Sequence, residues 1–382
     1  MSDAFVVAAV RTPVGRRRGT LARAHPADLA GHVIAAAVER SGVDGAAVED
    51  VILGCVSQVG AQAFNVARTA ALAAGLPESV PGTTVDRQCG SSQQAVHFAS
   101  QAIRSGDMDI VVAGGVEVMS LVPIGAAAAL GQEAGMGHPR SGKQWAARYG
   151  DQEISQFLGA EIIAREWGIS REDMERFALM SHQRAAAAVE GGLFNDEIVA
   201  WEGTRRDEGP RPDTTLEKMA QLQPVSEGGS ITAAVASQIS DGAAALVLAS
   251  QQAVRTHGLR PLARVHTTTV VGCDPVTMLA GPIPATESVL KRSGLSLDDI
   301  DQFEVNEAFA PIVLAWQRAT GAPLERTNPL GGAIALGHPL GATGARLMTT
   351  LIHNLRRAGG RFGLQTMCEG GGMANATVVE VV

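Results

Sequence analysis

The chain has 382 residues, 46% of them hydrophobic and only 4% aromatic, with a formal net charge of −8. That length corresponds to two or three domain-sized units, and the acidic balance excludes a nucleic-acid binder built on a basic face. The 44 glycines are neither periodic nor clustered, which excludes collagen and disordered linkers. No apolar run approaches the roughly 20 residues of a membrane span. The first ten residues carry no basic region ahead of an apolar one, and residues 378–382 carry no peroxisomal tripeptide. Four cysteines (Cys55, Cys89, Cys273 and Cys368) lie far apart without metal-ligand spacing, so reduced thiols, no metal and a cytoplasmic location are expected.

Apolar, β-branched runs at 5–10, 50–55, 83–86 and 110–113 read as strands, and residues 27–39 and 91–105 as helices between them. The rhythm breaks from about residue 120 to 238, where charge rises. Residues 157–167 and 171–190 read there as helices, the Ala-rich residues 123–130 equally as part of a subunit interface or as a buried helix, and 205–213 as a polar stretch. An inserted subdomain over the sheet core is expected. The alternation then resumes, with strands at 245–248, 263–271, 302–305 and 362–367 and helices at 251–257, 286–292, 308–318 and 341–357. This order predicts mixed or parallel sheets covered by helices. Cys89 follows one strand and Cys368 another, a weak echo that suggests a duplicated α/β unit.

Four stretches carry chemistry. In Asp86-Arg87-Gln88-Cys89-Gly90-Ser91-Ser92, a cysteine at a helix start sits beside free backbone N–H groups that stabilise thiolate or bind an oxyanion. A buried structural thiol is the alternative there. In Gly331-Gly332-Ala333-Ile334-Ala335-Leu336-Gly337-His338-Pro339, the glycine spacing of a phosphate loop lacks its Lys and Ser/Thr. What remains is a histidine held in a turn before a helix, placed as a base. Cys368-Glu369-Gly370-Gly371-Gly372 lets backbone amides approach a carbonyl oxygen, unless it is simply a turn between strands. Asn306, in Glu304-Val305-Asn306-Glu307-Ala308-Phe309, reads on its own as an N-cap.

Together, in this order, the Cys89, Asn306, His338 and Cys368 motifs and the block from Ile231-Thr232-Ala233 to Ser240-Asp241-Gly242 resemble the thiolase family over essentially the whole chain. In wording the chain is similar to actinobacterial acetyl-CoA acyltransferases, a group that includes thiolases of steroid-ring breakdown. The resemblance implies an α/β thiolase fold: a duplicated five-layer α-β-α-β-α core with an inserted loop domain. Residues 1–119 with 239–258 would form the half bearing the nucleophile, 120–238 the loop domain that binds coenzyme A, and 259–382 the half bearing His338 and Cys368.

By the same resemblance, Cys89 attacks the 3-oxo carbon of an acyl-CoA and His338 is the general base. Cys368 exchanges the proton of the acetyl-CoA carbanion. One oxyanion hole uses His338 and an Asn306-held water, and the other the N–H groups of Cys89 and Gly370. Arg211 and Ser237 fall where family members contact coenzyme A, the co-substrate; no permanent cofactor or metal is implied. The partners implied are 3-oxoacyl-CoA, CoA and further copies of the chain in a homodimer or homotetramer. Where biosynthetic members have His-Met in the acyl pocket this chain has Ser155 and Gln156, and Ala234-Val235 replaces a usual Gly-Asn. Both departures favour degradation of a larger or more polar acyl chain over acetoacetyl-CoA synthesis, which is the alternative, with a non-catalytic acyl-CoA binder as the remote one. A 3-oxoacyl synthase would not use a second cysteine before three glycines, and a Rossmann dehydrogenase would need GxGxxG after the first strand.

Overall fold

The computed structural model describes residues 3–382. The chain opens with β1 (Ala4–Arg11), short β2 (Gly15–Arg16), α1 (Pro26–Ser41), β3 (Asp50–Gly54), α2 (Val66–Ala73), β4 (Gly82–Val85), α3 (Ser91–Ser105) and β5 (Ile110–Val118). Five helices follow before the next long strand: α4 (Ala126–Glu133), α5 (Lys143–Tyr149), α6 (Gln156–Glu166), α7 (Arg171–Glu190) and α8 (Leu216–Ala220). The core resumes with β6 (Ser240–Ser250), α9 (Gln251–Thr256), β7 (Ala263–Gly272), α10 (Pro282–Ser293), β8 (Gln302–Val305) and α11 (Ala310–Thr320). It ends with α12 (Ala333–Leu336), α13 (Leu340–Ala358), β9 (Phe362–Glu369) and β10 (Met373–Val381).

The strands run β4-β3-β5-β6-β1-β7-β10-β9-β8, with β2 beside β6. In the first half, β3 pairs in parallel with β5, then β5–β6 and β6–β1 are antiparallel. The second half repeats this as β8 parallel to β9, then β9–β10 and β10–β7 antiparallel. Even the edge strand β4 has a remnant counterpart in the parallel bridge of Thr327 to Phe303. The duplication is therefore structural, and only two residue pairs, Phe5–Arg264 and Val6–Ala263, join the halves along β1 and β7.

Strands β1, β5 and β6 are buried along their whole length because both faces are covered. On β6, Ala243, Ala245, Val247 and Ala249 face the cluster under α1 and α2, while Ala244, Leu246 and Leu248 face a second cluster around α3 and α13. These two helices pack on each other and on strands of both halves, forming the middle layer. On the far side α10 and α11 cover the second half, with Phe303 edge-on to Trp316. Five layers, helix–sheet–helix–sheet–helix, result.

The helices of residues 119–239 pack outside the second half, α6 and α7 against α11 and α12. A buried ion triad ties this segment back to the first half. Arg11 donates to Glu197 at 2.5 Å and in a fork to Asp207 at 2.7 and 2.9 Å, and all three side chains are essentially water-free. The Ala-rich run read at 123–130 is not a buried helix: α4 lies on the surface, with Leu130 and Ile124 about half exposed.

Removing one member of a buried ion group leaves its partners as uncompensated charge, at a cost of about 3–5 kcal/mol. Arg11→Ala is expected to lose about that much in urea unfolding; a loss below about 1 kcal/mol would contradict it.

Candidate active site

Glycines bring the two central helices onto the sheet at one place. A Cβ on Gly54 (end of β3) would lie 2.3 Å from Ser92 N, and one on Gly115 (β5) 2.1 Å from Gly341 O. A Cβ on Gly341 itself would be 2.7 Å from Cys55 Cα. With no side chains between them, the N-termini of α3 and α13 rest on the strand ends. Ser92 Oγ accepts from Ala345 N at 2.9 Å, and Gln365 on β9 donates to Gly344 O and Gln93 Oε1, so both helices and β9 are fixed mutually. Glu117, on β5, accepts from Val56 N, Ser57 N, Gln62 Nε2 and Gly341 N at 2.7–3.0 Å.

Cys89 precedes Gly90, the N-cap of α3. The residue before it, Gln88, has φ of 49°, a left-handed conformation that costs a non-glycine residue about 1–3 kcal/mol. Asp86 compensates by accepting from Gln88 N at 2.7 Å, and Ser91 Oγ accepts from Arg87 N at 2.9 Å and donates to Gln88 O. Beyond this tight turn the thiol packs in an apolar cluster with Met119, Leu340, Leu347 and Met367. The N–H groups of Cys89 and Gly370 converge on the Cys89 sulfur, and the Gln88 side chain lies over Gly370.

The helix-start reading expects a stabilised thiolate, and the structure gives the opposite balance. Burial, helped by the Glu369 charge, pushes the Cys89 thiol up to about 12, against the pull of the two amides. Cys368 also lies well above its usual range, through burial and then the proximity of Cys89 and Glu369. It belongs to β9 itself, paired with Ala374, and the Gly370–Gly372 turn begins two residues later.

His338 precedes α13 as Cys89 precedes α3, so by fold position its counterpart is Cys89, and the sequence echo between Cys89 and Cys368 paired the wrong residues. Thr343 Oγ1 donates to Pro339 O at 2.8 Å and stands 2.7 Å from His338 Nδ1. Its single proton is thereby committed, so Nδ1 carries the hydrogen it accepts and Nε2 is left with a free lone pair. Burial, with Arg346 nearby, lowers His338 to about 3, so the imidazole is neutral at physiological pH.

Asn306 is no N-cap: α11 starts at Ala310 with Phe309 before it. Its Nδ2 lies 3.4 Å from His338 Nε2, and its buried Oδ1 has no partner among the described residues. Cys89 and Cys368 share one site, as do Asn306 and His338, with Gly370 supplying its amide to Cys89. An unprotonated base, two thiols and two convergent amides can carry out nucleophilic acyl transfer with proton exchange.

Arg211 lines a cavity of about 440 Å³ with His182, Asp213, Lys218, Met219 and Gln238. Gln238 also donates to Ile334 O and Ala335 O, and His338 N lies 3.3 Å from its carbonyl, so this cavity abuts the loop that carries His338. Ser237 is outside the cavity lining, bonded through its N–H to Ala308 O. Ser155 is the N-cap of α6, accepting from Leu158 N and donating to Glu153 Oε1. Sequence reading missed Glu117 and Thr343. An acid at the end of an otherwise apolar strand was the available signal for the first; for the second there was none. Among the described residues no cluster of His, Cys, Asp and Glu could hold a metal, and no helix is long and apolar enough to cross a membrane.

The fold and the paired cysteines define the class. Residues 4–252 match the thiolase N-terminal domain and residues 259–381 the thiolase C-terminal domain, and the chain belongs to the thiolase family. It is 57% identical to the steroid 3-ketoacyl-CoA thiolase FadA6 of Mycobacterium tuberculosis, covering all of this chain and 94% of that protein. It is 45% identical to the beta-ketoadipyl-CoA thiolase of Pseudomonas aeruginosa, covering 100% and 99%. The crystal structure of human mitochondrial 3-ketoacyl-CoA thiolase in complex with CoA superposes with a TM-score of 0.89 at 37% identity, covering 100% and 98%. The Bacillus anthracis acetyl-CoA acetyltransferase gives the same TM-score at 38% identity, covering 100% and 99%.

A thiol held this high is expected to react slowly with iodoacetamide at pH 7, and its rate to keep rising through pH 10. Peptide mass spectrometry at Cys89 reads it; a rate that levels off by about pH 10, as for an ordinary thiol near 8.5, would contradict the burial argument.

Proposed function

We propose that this chain cleaves a 3-oxoacyl-CoA with a second CoA, giving acetyl-CoA and a shortened acyl-CoA, in degradation of a fatty-acid or steroid-type substrate. The observation that carries this reading is a buried thiol on which two amides converge, ahead of one of two helices packed on each other, and ahead of the other a neutral imidazole whose Nε2 is unprotonated.

In the first half-reaction the Cys89 proton passes to His338 Nε2 while sulfur bonds to the 3-oxo carbon. The N–H groups of Cys89 and Gly370 receive the oxyanion. Collapse breaks the C2–C3 bond and leaves the acyl group on Cys89. The electron pair goes to an acetyl-CoA enolate, whose oxygen is met by protonated His338 and by a water on Asn306 Oδ1. Cys368 then protonates C2, and the imidazolium proton restores the Cys368 thiol. In the second half-reaction His338 takes the proton of the incoming CoA thiol, whose sulfur displaces Cys89 from the thioester; that proton returns to Cys89. Both thiols start protonated, which suits a cycle of proton exchanges without a standing ion pair.

The cavity bearing Arg211 and Lys218 supports CoA binding by residues 120–238, cations facing a polyanionic nucleotide. Phe64, 95% exposed, and Met136, 83% exposed, support a homodimer or homotetramer. Four free cysteines fit a reducing cytoplasm.

The test is acetyl-CoA release from linear, branched and ω-carboxylated 3-oxoacyl-CoA esters, each with CoA. Cys89→Ala is expected to abolish release, and Asn306→Ala to lower kcat by about 10²–10³. Release that survives Cys89→Ala, or turnover of acetoacetyl-CoA alone, would overturn the mechanism or the degradative role respectively. Arg211→Ala is expected to raise KM for CoA about fivefold, with kcat unchanged.

A further inference from the structure

A carboxyl group lies directly behind the nucleophile, and the mechanism above gives it no role. Glu369 is 0% exposed. A Cβ on Gly90 would fall 1.9 Å from its Oε1 and 2.3 Å from Asn375 Oδ1, so the carboxyl is seated against the bare Cα that follows Cys89. Oε1 accepts from Asn375 N at 3.1 Å. Beyond that bond the cluster is under-satisfied. Glu369 Oε2, both side-chain polar atoms of Asn375 and Arg87 Nε are buried with no hydrogen-bond partner among the described residues. Core polar groups left so are costly, and this set converges on the turn that presents the thiol.

We propose that Glu369 is a positioning residue of the nucleophile, whose charge restrains thiolate formation at Cys89 and keeps Cys368 a thiol. The inference rests on the reading of Cys89 as nucleophile. The charged or titratable groups around Glu369 are Arg87 and Cys89 from the turn before α3, Cys368 from β9 and Cys273 beyond β7. Arg87 is the one cation among them, and its Nη1 is otherwise engaged only with Met373 Sδ at 3.6 Å. Burial raises Glu369 to about 8, with Arg87 and Asn375 N–H pulling it down. The carboxyl is therefore neutral below about pH 7 and charged above about pH 9, so its restraint on Cys89 grows as pH rises. Gly90 and Glu369 also constrain each other, since no side chain fits at residue 90 while the carboxyl is in place.

The experiment is the pH dependence of Cys89 alkylation by iodoacetamide, without substrate, in wild type, Glu369→Gln and Glu369→Asp. Wild type and Glu369→Gln are expected to coincide below pH 7 and separate above pH 8, the Gln variant reacting about tenfold faster at pH 9. Glu369→Asp, which keeps the charge, is expected to follow wild type. Coincident Gln and wild-type profiles would overturn the proposal, and so would an Asp variant that behaves like Gln, because packing alone would then explain the change. Should the variants fail to fold, the wild-type profile decides: its slope is expected to fall near pH 8, and a uniform rise would overturn the proposal. Alkylation reads the thiol itself, so thiolysis that survives Cys89→Ala would defeat the function proposed above without touching this result.

Discussion

Two helix N-termini meet the strand ends at a point where no side chain fits. Gly54, Gly115 and Gly341 leave backbone against backbone there, and α3 and α13 descend far enough to put Cys89 and His338 in the interior between two sheets. That depth sets the electrostatics as well as the geometry. Charge–dipole stabilisation at a helix terminus is worth about 0.3–1 kcal/mol at the surface, less than one pKa unit. Burial moves the Cys89 thiol from 9.0 to about 12 and His338 from 6.5 to about 3. Desolvation outweighs the dipole, and both the thiol and the imidazole rest neutral.

The duplicated architecture divides the chemistry between equivalent positions. Each half sends one helix into the middle layer, and the residue ahead of that helix is a cysteine in one half and a histidine in the other. The second thiol comes from a strand end, so its position is fixed by the β9–β10 register and not by a helix. Residues 119–239 lie on the outside of this core. The cavity bearing Arg211 abuts the loop of His338 through Gln238, so a ligand held there would be in register with the base.

Much of this was legible in the sequence because it rests on local rules. Buried strands read as apolar runs, and Ser91–Ser105 read as a helix with its bounds intact. The Cys89, His338 and Cys368 motifs stood out as reactive residue types among glycines. What was not legible depends on distance across the fold. The pull of the helix terminus on Cys89 is a local rule, but the burial that overrides it comes from Met119, Leu340, Leu347 and Met367, residues scattered along the chain. Asn306 looked like a cap because it follows a strand; only the structure shows the helix beginning four residues later. The cap that Ser155 makes for α6 was likewise not read from the sequence. The echo between Cys89 and Cys368 was a likeness of wording, whereas the repeat in space equates Cys89 with His338.

The strand that joins the two halves also governs when the molecule can assemble. β1 is made well before its partners, β6, about 240 residues downstream, and β7 beyond that. During synthesis the sheet of the first half therefore lacks its two closing pairings until the entire insertion has emerged. Contacts of such sequence separation are slow to form, and in the interval β1 and β5 present unpaired edges, the kind of surface that recruits other chains. The position of the insertion between β5 and β6 thus makes a growing chain of this protein a natural client for chaperones.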